Sequence, residues 1–432
     1  MMKRLLLLWV TLFVAATTAL GAPASELQAH IAALNGVCEI KALPTDEFQE
    51  KYEVMITQPL DWHDLSAGTF SQRVLVMHVG YDRPTMIITQ GYDANFAMPV
   101  EYRDEISKYF NTNIILVEHR YFDRSIPQVV DWKYFTAENS AFDLHSIVQL
   151  FRPLYPNKWI ASGISKGGST TMLYAAYFPN DVDIYVPYVG PLCTSVEDRR
   201  FVPFLKNVST PENRAMIRDY QMEVFRRKAQ LMPAFTAFCN EKGYTFRIPV
   251  EEIFDYCILE YEVAFWQWGR HVEDIPAVAA SNEVLLNELL KNSGPEYFAM
   301  DNAIAHFFVQ AARELGFYPY DVKPFLQYST VRDTHDYLRK IFLPKELRNV
   351  KFSKKLYRKV ANYLKKNDPQ MLFVYGGNDP WTAPGAGWTV SADKRNMHLF
   401  VEPNGNHRTR IATLPEAQRN EALEILRGWL AK

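Results

Sequence analysis

The sequence predicts an α/β fold: a mostly parallel sheet that the chain leaves once, for a long helical insertion, and then rejoins. Three observations carry this. Short apolar runs of strand character alternate with helix-period stretches as far as residue 189. From about residue 193 to 363 the strand signals fade, and helix-like stretches such as 211–230, 283–291 and 303–315 replace them. Strand signals return at 371–375 and 397–401, and a helix over 415–430 closes the chain.

The elements follow in order. Lys3 and Arg4 precede an apolar run over 5–16, and small residues follow at Ala19, Gly21, Ala22 and Ala24. This is the pattern of a signal peptide, expected over residues 1–21, so the chain is expected to be exported, to the periplasm or beyond the cell. The run is shorter than the roughly 20 residues a membrane span needs. Residues 52–56 and 70–79 read as antiparallel strands joined by a turn-rich segment, 61–68. Thr85–Thr89 is a short apolar strand ending in Gln90-Gly91-Tyr92. A helix over 101–110, a strand at Asn113–Val117 and a helix over 141–151 come next. Residues 159–162 form a strand that runs into Gly163, followed by a helix at 170–177 and a strand at 182–189. The expected organisation is therefore a first sheet segment over 22–192, a mainly helical cap over 193–365 and a second sheet segment over 366–432.

Composition narrows the partners. The hydrophobic fraction, 48%, is that of an ordinary globular chain. A net charge of −2 with no basic stripe argues against nucleic acid. No metal-ligand spacing, cofactor motif, second apolar span or obligatory protein partner is evident. The four cysteines, Cys38, Cys193, Cys239 and Cys257, allow two disulfides in an oxidising compartment, with Cys239 and Cys257 as a local pair, or four buried thiols. Both readings stay open. Glu118 and Arg120, just after the strand Asn113–Val117, read as a buried ion pair with a structural role.

The chemistry lies at three strand ends. Gly163-Ile164-Ser165-Lys166-Gly167-Gly168 sits between a strand and a helix, the context of a nucleophile elbow. The turn there is so sharp that the residues two before and two after the serine must be small. With Gly at about 7% of residues and Ser near it, chance supplies roughly 0.1–0.2 such matches in a chain of this length, so the flanking strand and helix give the motif its weight. The elbow makes this an α/β-hydrolase fold, in which the nucleophile is followed by an acid and then a histidine. Asp379 is the carboxylate in the loop Gly376-Gly377-Asn378-Asp379-Pro380-Trp381, after the strand at 371–375. His407 ends Pro403-Asn404-Gly405-Asn406-His407, after the strand at 397–401. His78 and His398 fall within strands, and His119, His145, His271, His306 and His335 all precede the position a base requires. Ser165 as nucleophile, His407 as base and Asp379 as its orienting acid form the expected triad. Two backbone N–H groups should form the oxyanion hole. One comes from Lys166, and the other from Gly91 or Tyr92. The Lys166 side chain receives no role.

Further motifs carry a resemblance. Gln58-Pro59-Leu60-Asp61, Thr69-Phe70-Ser71-Gln72-Arg73, Glu118-His119-Arg120-Tyr121, Asp379-Pro380-Trp381 and Phe265-Trp266-Gln267-Trp268 resemble the prolylcarboxypeptidase and dipeptidyl-peptidase II family. The elbow departs from that family's Gly-Gly-Ser-Tyr-Gly-Gly. Gly-x-Ser-Lys-Gly-Gly together with Gly405-Asn406-His407 looks more like the related secreted tripeptidyl aminopeptidases, serine peptidase family thirty-seven, a group that includes prolyl tri- and tetrapeptidyl aminopeptidases. The resemblance implies release of three- or four-residue peptides from a free N-terminus, with proline before the cut, under a cap that excludes folded proteins. A proline ring calls for aromatic walls. Trp381, two residues from the acid, and Trp266 and Trp268 in the insertion are the candidates. The substrate ammonium calls for a carboxylate, and Glu260, Glu262 and Glu273 near the aromatic run all qualify. An esterase or lipase on the same fold would use the same triad and is the competing reading.

Overall fold

The computed structural model describes residues 24–431. The expected leader, residues 1–21, lies outside the described residues. Nine strands among the described residues form one sheet: β1 Val37–Leu43, β2 Glu50–Pro59, β3 Thr69–His78, β4 Thr85–Thr89, β5 Asn113–Val117, β6 Trp159–Ile164, β7 Ile184–Tyr188, β8 Met371–Gly376 and β9 Met397–Glu402. Their spatial order is β1-β2-β3-β5-β4-β6-β7-β8-β9. The first three pairings (β1–β2, β2–β3, β3–β5) are antiparallel, and every later one is parallel. The fold is that of the α/β hydrolases. The strand β1 escaped the sequence reading. It sits at the sheet edge, and its mixed burial gives no alternation to read.

The parallel strands β4, β5, β7 and β8 are buried at every position and mainly apolar because both faces are covered. Val74, Val76, Ile87 and Ile115 point into one core, which Leu144, Ile147, Leu173 and Val360 complete from helices. Leu75, Met77, Ile88 and Leu116, one residue out of step, point into the other, closed by Ile106, Leu426 and Trp429. The helix Lys355–Lys366 belongs to the first of these cores through Val360 and Leu364.

Between β7 and β8 the chain builds a third core from helices, with Phe254, Ile258, Leu285, Phe308 and Tyr337 fully buried. The expected helix over 211–230 is two helices, Pro211–Arg226 and Lys228–Lys242, which meet at Arg227. The longest helix of the segment is Val250–Trp268, ended by Gly269 in the left-handed conformation.

The structure decides one open reading and corrects one expectation. All four cysteines are free thiols: of the two readings left open, the disulfides are not made, and of the thiols Cys193, Cys239 and Cys257 are buried while Cys38 is exposed. Glu118 and Arg120 are buried but do not pair with each other. Glu118 accepts from Arg73 Nε at 3.0 Å and from Ser125 Oγ at 2.8 Å. Arg120 grips Asp143 with two bonds of 2.7 Å. The strand ends at Val117, so the two-residue spacing no longer puts both side chains on one face.

Candidate active site

Parallel strands place all their carboxyl ends along one edge of the sheet, where α/β proteins bind ligands. Four of those ends matter here. Ser165 follows β6 and directly precedes the helix Lys166–Tyr177, with φ 59° and ψ −120°. A non-glycine residue in so sparsely populated a region costs on the order of 1–3 kcal/mol and must be held by its surroundings. The Ser165 N–H donates to the Tyr188 carbonyl at 2.9 Å, and the Ser165 carbonyl accepts from Ser169 N–H at 2.9 Å. A methyl group at Gly163 would lie 2.4 Å from the Gly167 carbonyl oxygen, which is why the residues on either side of the elbow are glycine.

The loop after β4 lies against the start of that helix. A side chain at Gly91 would meet the Gly167 nitrogen and Lys166 Cβ at 2.8 Å. The Lys166 side chain does not run out along the helix to solvent. It is buried, and its Nζ donates to the Gly91 carbonyl at 2.5 Å. The ammonium sits over the rings of Tyr92, Phe122 and Phe135, 5.1–5.9 Å from their centroids. Burial pushes the Lys166 ammonium well below the usual lysine range, partly offset by Glu314. Among the described residues, nothing accepts from the N–H of Lys166 or of Tyr92.

Asp379 and His407 meet across the ends of β8 and β9. Their loops are tied by backbone bonds, Gly377 N–H to the Glu402 carbonyl at 2.7 Å and Asn378 N–H to the Gly405 carbonyl at 2.8 Å. His407 Nδ1 lies 2.7 Å from Asp379 Oδ2, and both side chains are buried. Asp379 Oδ1 accepts from the Trp381 N–H at 3.1 Å. Because Nδ1 faces a carboxylate it carries the proton, which leaves Nε2 as the acceptor. The His407 N–H donates to the Gln267 carbonyl at 3.0 Å, which fastens the histidine loop to the helix Val250–Trp268.

Ser165 and His407 line the same pocket, of about 870 Å³, roofed by the helical segment. Trp381 and Trp268 also line it. Trp381 is buried edge-on against Phe201, Phe317 and Tyr318. Trp268 is 43% exposed and stands perpendicular to the His407 ring at 6.0 Å. Trp266 does not line the pocket. Glu260, Ala264, Gln267 and Trp268 recur at helical spacing and form the pocket face, and Trp266 falls on the far side of the helix, in the core.

The same helical face separates Glu260 from Glu262, and Glu273 lies beyond the helix end. Glu260 lines the pocket, and Glu262 and Glu273 do not. Glu260 is buried and has no cation partner among the described residues. It accepts from Tyr318 at 2.8 Å and from Tyr320 at 2.5 Å. Burial raises its carboxyl to about 7, against the two tyrosine hydroxyls that favour the anion. The sequence reading missed both tyrosines. Their spacing in Tyr318-Pro319-Tyr320 is the signal that would have paired them on one side of an extended chain.

The model of the PS-10 peptidase S37 family matches residues 22–431. The chain is 28% identical over 421 residues to the prolyl tri/tetrapeptidyl aminopeptidase of Streptomyces mobaraensis, covering 94% of this chain and 86% of that one. Among solved structures, it is similar to a proline iminopeptidase of Mycobacterium smegmatis, with 11% identity, 87% and 99% of the two chains covered and a TM-score of 0.40. It is also similar to a peroxisomal alpha-beta-hydrolase of Saccharomyces cerevisiae, with 12% identity, 92% and 90% covered and a TM-score of 0.39.

Proposed function

This chain belongs to the PS-10 peptidase S37 family and is a serine peptidase of the α/β-hydrolase type, and on that premise we propose that it is an exported exopeptidase releasing tri- or tetrapeptides from free N-termini, cutting after proline. One observation carries the reading: the strained Ser165, His407 held from behind by Asp379, and the cation-free carboxylate Glu260 line a single roofed pocket.

The proposed reaction follows from that arrangement. Ser165 Oγ attacks the carbonyl of the prolyl residue, and His407 Nε2 takes its proton. Asp379 holds the imidazole by Nδ1 and stabilises its charged form. The N–H of Lys166 and an N–H of the 91–92 loop receive the developing oxyanion. His407 passes the proton to the leaving amine, and water then hydrolyses the acyl-enzyme with His407 again as base. Glu260 receives the substrate ammonium, which explains a buried acid that only tyrosines accompany. Trp381 and Trp268 supply apolar walls for the proline ring. A pocket of about 870 Å³ has the size of a small-ligand cleft, roughly 300–1,000 Å³, which suits a short peptide and no folded chain. The leader pattern supports export, and no nucleic acid, membrane or protein partner is needed after its removal.

The test is a fluorogenic peptide panel on the mature protein, with Ser165→Ala beside it. Free-amine Xaa-Xaa-Pro substrates should be cleaved, acetylated ones should not, and Ser165→Ala should lose activity on the order of 10⁶-fold. Turnover of a short-chain ester without peptide turnover would leave the nucleophile standing and overturn the peptidase substrate assignment.

A further inference from the structure

The side chain after the nucleophile has no place in the reaction as written, yet it is the most unusual group in the site. A lysine is seldom fully buried without an acid in contact. Here the Nζ of Lys166 reaches one oxygen, the carbonyl of Gly91, inside a cage of three rings. We propose that Lys166 is a positioning residue for the oxyanion hole: its side chain fixes the Gly91–Tyr92 peptide so that the Tyr92 N–H joins the N–H of Lys166 itself in facing the oxyanion. This rests on the peptidase reading above.

The Gly91 carbonyl and the Tyr92 N–H belong to the same planar trans unit and point in opposite directions. An ammonium drawing the carbonyl to one side turns the N–H to the other. Tyr92 lines the pocket beside Ser165, and its N–H is untaken. Three neighbouring groups of the loop are held elsewhere. The Tyr92 carbonyl accepts from His119 N–H at 3.1 Å, the Asp93 carbonyl from Gln90 Nε2 at 2.8 Å, and the Ala94 N–H donates to Glu118 at 2.9 Å. Lys166 tethers the Gly91–Tyr92 peptide itself. The cage serves the same end. The rings keep water from competing for Nζ, and their faces attract a cation without offering it a carboxylate that would draw it away from Gly91. The lysine thus contributes twice, by its own backbone N–H and by aiming its neighbour's.

The experiment compares Lys166→Met, of similar length but no donor, with Lys166→Gln, shorter but still a donor. Each is assayed for hydrolysis, for inhibition by a peptide aldehyde whose adduct with Ser165 bears an oxyanion, and for inhibition by the product peptide. The Met variant should lose about 10²-fold in kcat, the loss expected for one oxyanion donor, with KM within about twofold. Its aldehyde affinity should fall by the same factor while product affinity holds, and the Gln variant should retain more of both rate and aldehyde affinity. If only one variant folds, its aldehyde-to-product ratio decides. Parallel loss of aldehyde and product binding, or an undiminished kcat, overturns the proposal. Ser165→Ala, run alongside, separates the two readings. An active Ser165→Ala enzyme removes the mechanism itself, whereas an inactive one beside an unimpaired Met variant removes only the role of Lys166.

Discussion

Two regions of this molecule bury charge, and they do it differently. Beneath the sheet end, Arg120 and Asp143 are buried together with two bonds of 2.7 Å, and Arg120 spends its remaining N–H groups on the carbonyls of Pro59, Leu60 and Tyr134. Glu118 is matched by Arg73 in the same way. In the pocket, Lys166 and Glu260 are as deeply buried and no opposite charge touches either. Desolvation penalises a buried ion wherever it lies, and it is repaid only by a partner of good geometry. The paired set carries that partner within the fold. The pocket set leaves room for one to arrive, or is spent on aiming a backbone group. Of these groups, the paired charges belong to the scaffold and the unpaired ones to the pocket, though lack of a partner is not sufficient by itself, since Lys51 is buried outside the pocket against only the carbonyls of Met98 and Pro99.

The sharpest way to break this comparison is to remove one member of a scaffold pair. Asp143→Ala strands the Arg120 guanidinium and should destabilise the protein by about 3–5 kcal/mol, read by thermal or denaturant unfolding. An unaltered midpoint would mean the pair holds nothing together.

The second effect is smaller and of another kind. Glu260→Gln removes a charge that no cation balances, so the melting temperature should stay level or rise. The KM for free-amine substrates should increase roughly tenfold to a hundredfold, the worth of one hydrogen bond to a charged group. Acetylated substrates should show no such difference. A large loss of stability in this variant would place Glu260 with the scaffold.

The third effect is a slope in pH. Burial raises the Glu260 carboxyl from the ordinary 4.5 to about 7. A group raised on folding contributes stability below its unfolded value, and that contribution is lost as pH rises through the folded value. The melting temperature of Glu260→Gln relative to the parent should therefore climb between pH 5 and 8. The affinity of the parent for free-amine substrates should improve over the same interval as the acid ionises. A flat difference would mean that Glu260 does not titrate in this range.

The two regions also differ in how far they could be read in advance. The positions of Ser165, Asp379 and His407 at three strand ends were legible because each depends on local pattern: an apolar run of strand length, then glycines and turn residues. The elbow is legible for the same reason, since the contact between Gly163 and Gly167 excludes any larger residue two positions before and two after the serine. The alternation of strands and helices told of a parallel sheet, and the loss of it told of the helical segment. The edge strand β1, with neither alternation nor a continuous apolar run, offered no such signal.

What the tertiary structure alone decided depends on groups far apart in sequence. Which face of the helix Val250–Trp268 looks into the pocket separates Glu260 from Glu262 and Trp268 from Trp266, and that face is set by packing against residues 50 or more positions away, such as Tyr318 and Tyr320. The partner of Arg120 is 23 residues along the chain and that of Glu118 is 45, so adjacency in sequence paired the wrong charges. The direction of the Lys166 side chain follows from a carbonyl 75 residues earlier. Periodicity and turn chemistry are properties of neighbours along the chain, and they reach the strand ends. The walls of a pocket belong to whichever surfaces burial brings together, and only the folded chain brings them there.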